Sequence, residues 1–266
     1  MNRRFVNLLL YAVIVVMILP MAVLLLWAFA REWPWPHLFP TGFSVRGWVH
    51  LLNPATGALP VLFYSVLLSS VVTFLTVTFS LPAARALAFC EFRGKQAIEI
   101  FVLSPMVIPT TAIAMGIHVN FIRLGLADTF WGVVLSHLLP CLPYGIKILT
   151  GVFGALGDRI EQQARVMGAG RMKTYIYVTL PLISPGLVTA GIMAFVVSFS
   201  QYFLTFIIGG GRVVTFSLLL FPFIQGGDRH LSAVFSLAFI ATVLLWVFAL
   251  EALVRRWVKK GQYFYM

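Results

Sequence analysis

The side chains equipped for chemistry in this chain are few and scattered. Five histidines, His37, His50, His118, His137 and His230, lie far apart, and Cys90 and Cys141 sit at the edges of apolar runs without metal-ligand spacing. Neither set offers a nucleophile beside a base, a metal centre or a disulfide framework, and the two cysteines read as small core residues. Apart from Arg85 near the end of one run, the charged residues inside the apolar runs are Glu99, Lys147 and Glu251. There are no paired carboxylates at membrane depth, no H-E-x-x-H motif and no Gly-x-x-x-x-Gly-Lys-Ser/Thr phosphate loop, so the chain is expected to be no enzyme and to hold no cofactor of its own.

Two polar groupings remain, and both suggest recognition rather than catalysis. The first is the stretch 158–186, DRIEQQARVMGAGRMKTYIYVTLPLISPG, a polar island punctuated by glycine between apolar runs. The second is Ser198, Gln201, Tyr202 and Thr205, whose i, i+3, i+4, i+7 spacing places them on one helix face. That stripe suits either a pore lining met by a solute or helix–helix hydrogen bonding. His118, Asn120 and Arg123 read as a solvated helix end, and Glu99 as a carboxylate at a helix N-terminus. Ser69, Ser70, Thr73, Thr76 and Thr78 are small residues that permit close packing.

The elements that position these groups are membrane helices. The chain is 61% hydrophobic and 10% charged, against about 25% charged in soluble domains. Its net charge of +11 is spread over the ends of apolar runs, which fits a membrane protein and excludes a nucleic-acid-binding domain. Six runs reach the roughly 20 residues needed to cross a bilayer, over 5–30, 59–89, 97–121, 130–153, 186–208 and 231–254. Prolines 105, 109, 140 and 143 interrupt the third and fourth runs. The first is too long for a signal-peptide core and is expected to remain as a span. Thirteen Lys and Arg fall on one side (Arg3, Arg4, Arg85, Arg93, Lys95, Arg159, Arg165, Arg171, Lys173, Arg255, Arg256, Lys259, Lys260) against five on the other. Positive charge is retained in the cytoplasm, so both termini and the 158–181 segment are expected there. On the other side, Trp33, Trp35 and Trp48 suit a membrane interface with their indole N–H groups kept wet. The outer loops, 31–60 and 209–230, are too short for a catalytic domain but long enough to touch an extracytoplasmic partner.

Within the island, Asp158 and Glu161 have the spacing of a capping box, which predicts a helix from Arg159 through Arg165. Gly168 and Gly170 break it, and a second stretch over 171–180 is expected to end at Pro181. Ile160, Ala164 and Met167 make one narrow apolar face. A helix of this kind lies either in a hydrophobic groove of another protein or on lipid headgroups.

The spacing resembles the EAA loop of binding-protein-dependent ABC importer permeases: Glu-Ala-Ala, three residues, Gly, nine residues, Ile, one residue, Leu-Pro. Gln162, Gln163 and Ala164 fall on the Glu-Ala-Ala, Gly168 on the Gly, Val178 on the Ile and Leu180-Pro181 on the Leu-Pro. Gln162 and Gln163 depart in type, and Glu161 stands one place before the family's Glu. The six-span layout extends the resemblance over nearly the whole chain.

The resemblance implies an all-α, polytopic type I ABC importer permease (MetI-like) fold, a single permease domain over 1–266 in a bacterial or archaeal cytoplasmic (inner) membrane. The coupling loop over 158–181 would seat Asp158, Ile160, Glu161, Gln162, Gln163, Ala164, Arg165, Met167, Gly168 and Ala169 against a cytoplasmic ATPase. It also implies as partners two ATPase subunits that bind ATP and Mg, a second permease subunit that is a different chain, an extracytoplasmic solute-binding protein and membrane lipid. The segment 180–211 resembles the polyamine (spermidine/putrescine) branch, which also includes permeases for phosphonates, thiamine and ferric iron. A polyamine or another small organic solute is expected, and the Ser200 and Gln201 of this chain, where that branch often has acidic residues, argue against the polyamine. The alternatives are a secondary transporter or channel subunit not driven by ATP, a membrane enzyme and a scaffold subunit; the shortage of charge in the spans argues against a proton-coupled carrier.

Overall fold

A computed structural model gives the architecture of residues 3–34 and 36–262. Trp35, expected at the interface, and the side chains of Arg3, Arg4, Lys259 and Lys260, used in the charge argument, lie outside the described residues. In chain order the elements are α1 (Arg3–Trp27), β1 (Ala30–Glu32), β2 (Gly42–Phe43), α2 (Arg46–Leu52), α3 (Ala58–Phe89), α4 (Lys95–Leu103), α5 (Thr110–Arg123), α6 (Phe130–Leu156), α7 (Arg159–Val166), α8 (Arg171–Thr174), a π turn (Tyr175–Thr179), α9 (Leu180–Phe199), α10 (Phe203–Gly209), α11 (Phe216–Gln225) and α12 (Arg229–Gln262). Five helical stretches are long and apolar enough to cross a membrane, and α4 with α5, bent by 100°, makes a sixth if counted as one span. The fold is all-α apart from the short β1–β2 ribbon.

Proline has opposite effects in different spans. The third expected span, 97–121, is not straight: Pro105 opens a 3-10 turn over Ser104–Met106, and Pro109 is extended (ψ 133°) immediately before α5. Pro140 and Pro143, by contrast, lie inside the unbroken α6. A missing N–H in a membrane helix is tolerated where neighbouring protein surrounds the backbone. Both α6 prolines are buried, whereas no residue of α4 is.

The chain falls into two compact units, residues 1–61 with 218–242, and residues 62–217 with 243–266. In the first, the outer-loop segment is ordered by β1–β2 pairing, Ala30 opposite Phe43 and Glu32 opposite Gly42. His230 holds α2 in place: its Nε2 accepts from the Gly47 N–H at 2.8 Å, and its Nδ1 faces the Trp27 carbonyl at 3.1 Å. That pair of contacts suits the tautomer with the proton on Nδ1. Arg46 pairs with Asp228 at 3.1 Å, and Asp228 caps the start of α12 through the Leu231 N–H. The Trp33 indole donates to the His37 carbonyl at 2.8 Å. The Trp48 indole N–H is enclosed with no acceptor among the described residues, unlike the wet N–H expected of it.

In the second unit, α3, α6, α9 and α10 share a core built on Leu68, Val72, Val133, Leu138, Ala194 and Ile208. A second cluster, Ala84, Leu149, Phe153, Ile183 and Ala190, joins α3, α6 and α9. Glycines set the approach of these helices. A Cβ on Gly145 would stand 2.4 Å from Ser80 Oγ, and one on Gly186 2.7 Å from Val152. The C-terminal part of α12 is fastened by Trp246, which stacks on Phe195 at 3.9 Å and donates its indole N–H to Ser70 Oγ.

Two expectations for the polar island and the fifth span change. The second stretch does not stop at Pro181, because Arg171–Phe199 is a continuous helical run. Proline removes one N–H and crowds the carbonyl four residues before it. The π turn just upstream takes up that misfit, with the Leu180 N–H reaching back five residues to the Tyr175 carbonyl. The segment expected as a span over 186–208 is divided instead: α9 ends at Phe199 and α10 begins at Phe203.

Candidate functional site

The helix–turn segment is built from local signals, with one important exception. Asp158 stands at the N-cap of α7, but its side chain makes no capping hydrogen bond. Its Oδ2 accepts from Gln162 Nε2 at 2.6 Å instead. The capping box does not form because Glu161 turns inward, toward a cation the local pattern could not reveal. Arg85, 76 residues earlier on α3, meets Glu161 Oε2 at 2.5 Å. Thr179 in the π turn donates to Oε1 at 2.8 Å, and Arg165 stands 3.5 Å from Oε2. The Arg85 guanidinium also lies about 6 Å from the ring centroids of Phe89 and Tyr175.

The end of α7 is sharply defined. The Gly168 N–H bonds to the Arg165 carbonyl and the Ala169 N–H to the Ala164 carbonyl, the paired bonds of a Schellman turn. Gly168 has φ +90°, a conformation that disfavours any side chain. Beyond its Cβ position there is open space within 4 Å, so the glycine is required by backbone geometry rather than by crowding. The turn leaves Val166 and Met167 about nine-tenths exposed, with Ile160 and Met172 also exposed. Gln162, Gln163 and Arg165 are exposed too, and Ala164 is half-buried. Ile160 and Met167 therefore face outward as expected, and Val166 joins them. A cavity of about 410 Å³ lies behind α7, lined by Arg85, Phe89, Cys90, Asp158, Gln162 and Arg165 among others.

The second grouping is reorganised by the break in the fifth span. Ser198 is on α9, Gln201 and Tyr202 are in the break, and Thr205 is on α10, so the four do not form one continuous helical stripe. Ser198 and Thr205 still converge, on a residue outside the expected set. His137, fully buried in α6, contacts Ser198 Oγ and Thr205 Oγ1, each at 3.0 Å. Ser198 in turn donates to Ser69 Oγ at 3.3 Å. The Gln201 carbonyl, left free by the break, accepts from Thr205 and Ser217 hydroxyls at 3.0 and 2.9 Å. Gln201 and Tyr202 are half-buried and Ser200 is exposed. Unwound backbone at membrane depth is found where it is enclosed by protein or lines a cavity, and here hydroxyls satisfy it.

Sequence spacing marked Ser198 and Thr205 but missed His137 and Arg85. The only signal for His137 was an uncharged polar residue in an apolar run, which is shared with many packing residues. Among the described residues no His, Cys, Asp and Glu group could hold a metal. His118 is half-buried, and Asn120 and Arg123 are exposed at the end of α5. Glu99 lies one turn into α4, and Glu251 pairs with Arg255 one turn further along α12.

Comparisons with known proteins agree with this architecture. The chain is 28% identical over 212 residues to the trehalose/maltose transport system permease protein MalG of Thermococcus litoralis, covering 78% of this chain and 76% of that protein. It is 25% identical over 177 residues to the spermidine/putrescine transport system permease protein PotC of Haemophilus influenzae, covering 66% of each. The fold aligns with a chain of a bacterial ABC transporter involved in the import of the acidic polysaccharide alginate, with a TM-score of 0.68 and 16% identity over 96% of this chain and 98% of that one. A family match sets aside the reading as a secondary transporter or channel subunit not driven by ATP. Residues 77–260 match the family described as binding-protein-dependent transport system inner membrane component, and the chain belongs to that family as a permease subunit of an ABC importer.

Proposed function

We propose that this chain forms half of a solute path across a bacterial or archaeal inner membrane, and that α7 with its Schellman turn is the contact through which a cytoplasmic ATPase drives it. The observation that carries the reading is the form of this segment. A helix ended at a fixed glycine turn projects Val166 and Met167 into the open, while its inner face is tied down by Glu161. Exposed apolar side chains on a rigid helix suit a groove in a partner. The expected contact set, Asp158, Ile160 to Arg165, Met167, Gly168 and Ala169, divides accordingly. Glu161 faces inward, and the exposed members face the proposed socket.

In this assembly the ATPase pair binds ATP and Mg, a second permease of different sequence completes the path, and a binding protein delivers the solute from outside. Both termini and α7 lie on the cytoplasmic side. The solute path runs past the break between α9 and α10, where Ser200, Gln201 and Tyr202 are placed. Broken helices commonly carry such sites in transporters. The polar groups here are hydroxyls and an amide without a carboxylate, which favours hydrogen bonding to a neutral polar solute such as a sugar. The similarity to PotC makes a polyamine the second substrate reading.

Two measurements test the proposal. Met167→Cys in a cysteine-free background is expected to cross-link to the copurified ATPase, with ATP changing the yield; no cross-link would remove the coupling role. Ligand screening of the accompanying binding protein is expected to find a neutral polar solute, and tight binding of spermidine or putrescine would reverse the substrate preference.

A further inference from the structure

The buried surface of α7 is unusual for a helix that must transmit force. Its only buried residue is Glu161, a carboxylate, where a docked helix normally buries an apolar stripe. Both carboxylate oxygens are engaged, Oε1 by Thr179 and Oε2 by Arg85 and Arg165. The partners beyond α7 come from two separate places: Arg85 from α3, and Thr179 from the π turn that leads into α9. The Glu161 side chain is 7% exposed and that of Arg85 32%, so water competes weakly for the pair.

We infer that Glu161 is a positioning residue that pins α7 to α3 and to the root of the fifth span, so that a displacement of α7 is carried into both helices in register. This rests on the coupling function proposed above and adds the route by which motion leaves α7. Apolar contacts allow small slides, whereas charge-assisted hydrogen bonds of fixed direction hold one geometry. The run beyond Thr179 continues without interruption to Phe199 and the break at Ser200. A pull on the carboxylate therefore reaches both the α3 core and the proposed solute path. Gln162, which holds the family's Glu position, is exposed and bonds only locally to Asp158; the inward link belongs to its neighbour.

The test uses the whole importer, with its second permease, ATPases and binding protein, in proteoliposomes where ATP hydrolysis and solute uptake are measured separately. Glu161→Gln and Arg85→Gln are expected to copurify with the ATPase and keep most of its hydrolysis, while solute moved per ATP falls by about tenfold, within the range of ordinary coupling energies. Arg85→Lys, which keeps the charge in place, is expected to recover most of that ratio. Thr179→Val, a milder change, should lower it less. The pin is overturned if Glu161→Gln leaves the ratio unchanged, if hydrolysis and uptake fall together with loss of the complex, or if Arg85→Lys is as uncoupled as Arg85→Gln. If Met167→Cys fails to cross-link, the coupling reading itself falls; if it cross-links and the ratio is unmoved by Glu161→Gln, only the pin falls.

Discussion

His137 and Gly168 show how single residues set this molecule's constraints in opposite ways. His137 is enclosed by protein, and both ring nitrogens meet hydroxyls. Replacing it with Leu leaves Ser198 and Thr205 without that partner. Each lost hydrogen bond costs about 0.5–1.5 kcal/mol, so His137→Leu is expected to lower the thermal midpoint of the purified complex, and an unchanged midpoint would show that the Ser198 bond to Ser69 and the Thr205 bond to the Gln201 carbonyl satisfy the hydroxyls without it. Gly168 carries no packing and is needed for its φ of +90°. A bulky replacement such as Gly168→Leu costs roughly 1–3 kcal/mol of backbone strain, relieved by unwinding the turn. The expected result is normal membrane insertion with ATP hydrolysis uncoupled from uptake, and normal transport by that variant would remove the turn from the coupling path.

At the scale of elements, what was legible in the sequence was what is local. The apolar runs and the Gly-punctuated spacing of 158–181 depend on neighbours a few residues away, so α7 and its turn could be read directly. The capping box could not, because its Glu161 is claimed by Arg85, a cation 76 residues distant. Proline was ambiguous for the same reason: the bend near Pro105 and Pro109 and the continuity through Pro140 and Pro143 differ in their surroundings, not in their sequence signal. The break at 200–202 was invisible to apolar periodicity, since Ser198 to Thr205 fits a helix face as well as a divided one. Close helix approach gives a further test here. Gly145→Val would drive a side chain into Ser80, whose Oγ already lies 2.4 Å from an ideal Cβ. Overpacking costs about 1–3 kcal/mol, so a reduced yield of folded chain is expected, and Ser80→Ala in the same protein should recover part of it.

For the molecule as a whole, the proposed orientation rests on thirteen basic residues against five. In a Cys90→Ser, Cys141→Ser background, a cysteine at Lys173 is expected to resist membrane-impermeant thiol reagents in intact spheroplasts and to react in inverted vesicles. A cysteine at Arg212 should do the reverse, and the opposite pattern would invert the topology. Family membership establishes a permease subunit of an importer, and the choice of solute is proposed to sit largely in the binding protein that delivers it. Relatives named for compounds as different as trehalose and spermidine both match this chain in sequence.

The π turn over Tyr175–Thr179 sets the angular phase of the helix it belongs to. A π turn holds one residue more than the α-helical repeat would at the same place. Restoring an ordinary repeat there would turn one side of the rod against the other by about 100° and change its reach by about 1.5 Å. Pro181, just downstream, has a ring that would crowd the Tyr177 carbonyl in an ordinary repeat, which favours the π setting. The helix that leads from Thr179 toward the break therefore carries a one-residue offset, which sets the face that Thr179 turns toward Glu161 against the faces that α9 packs further along.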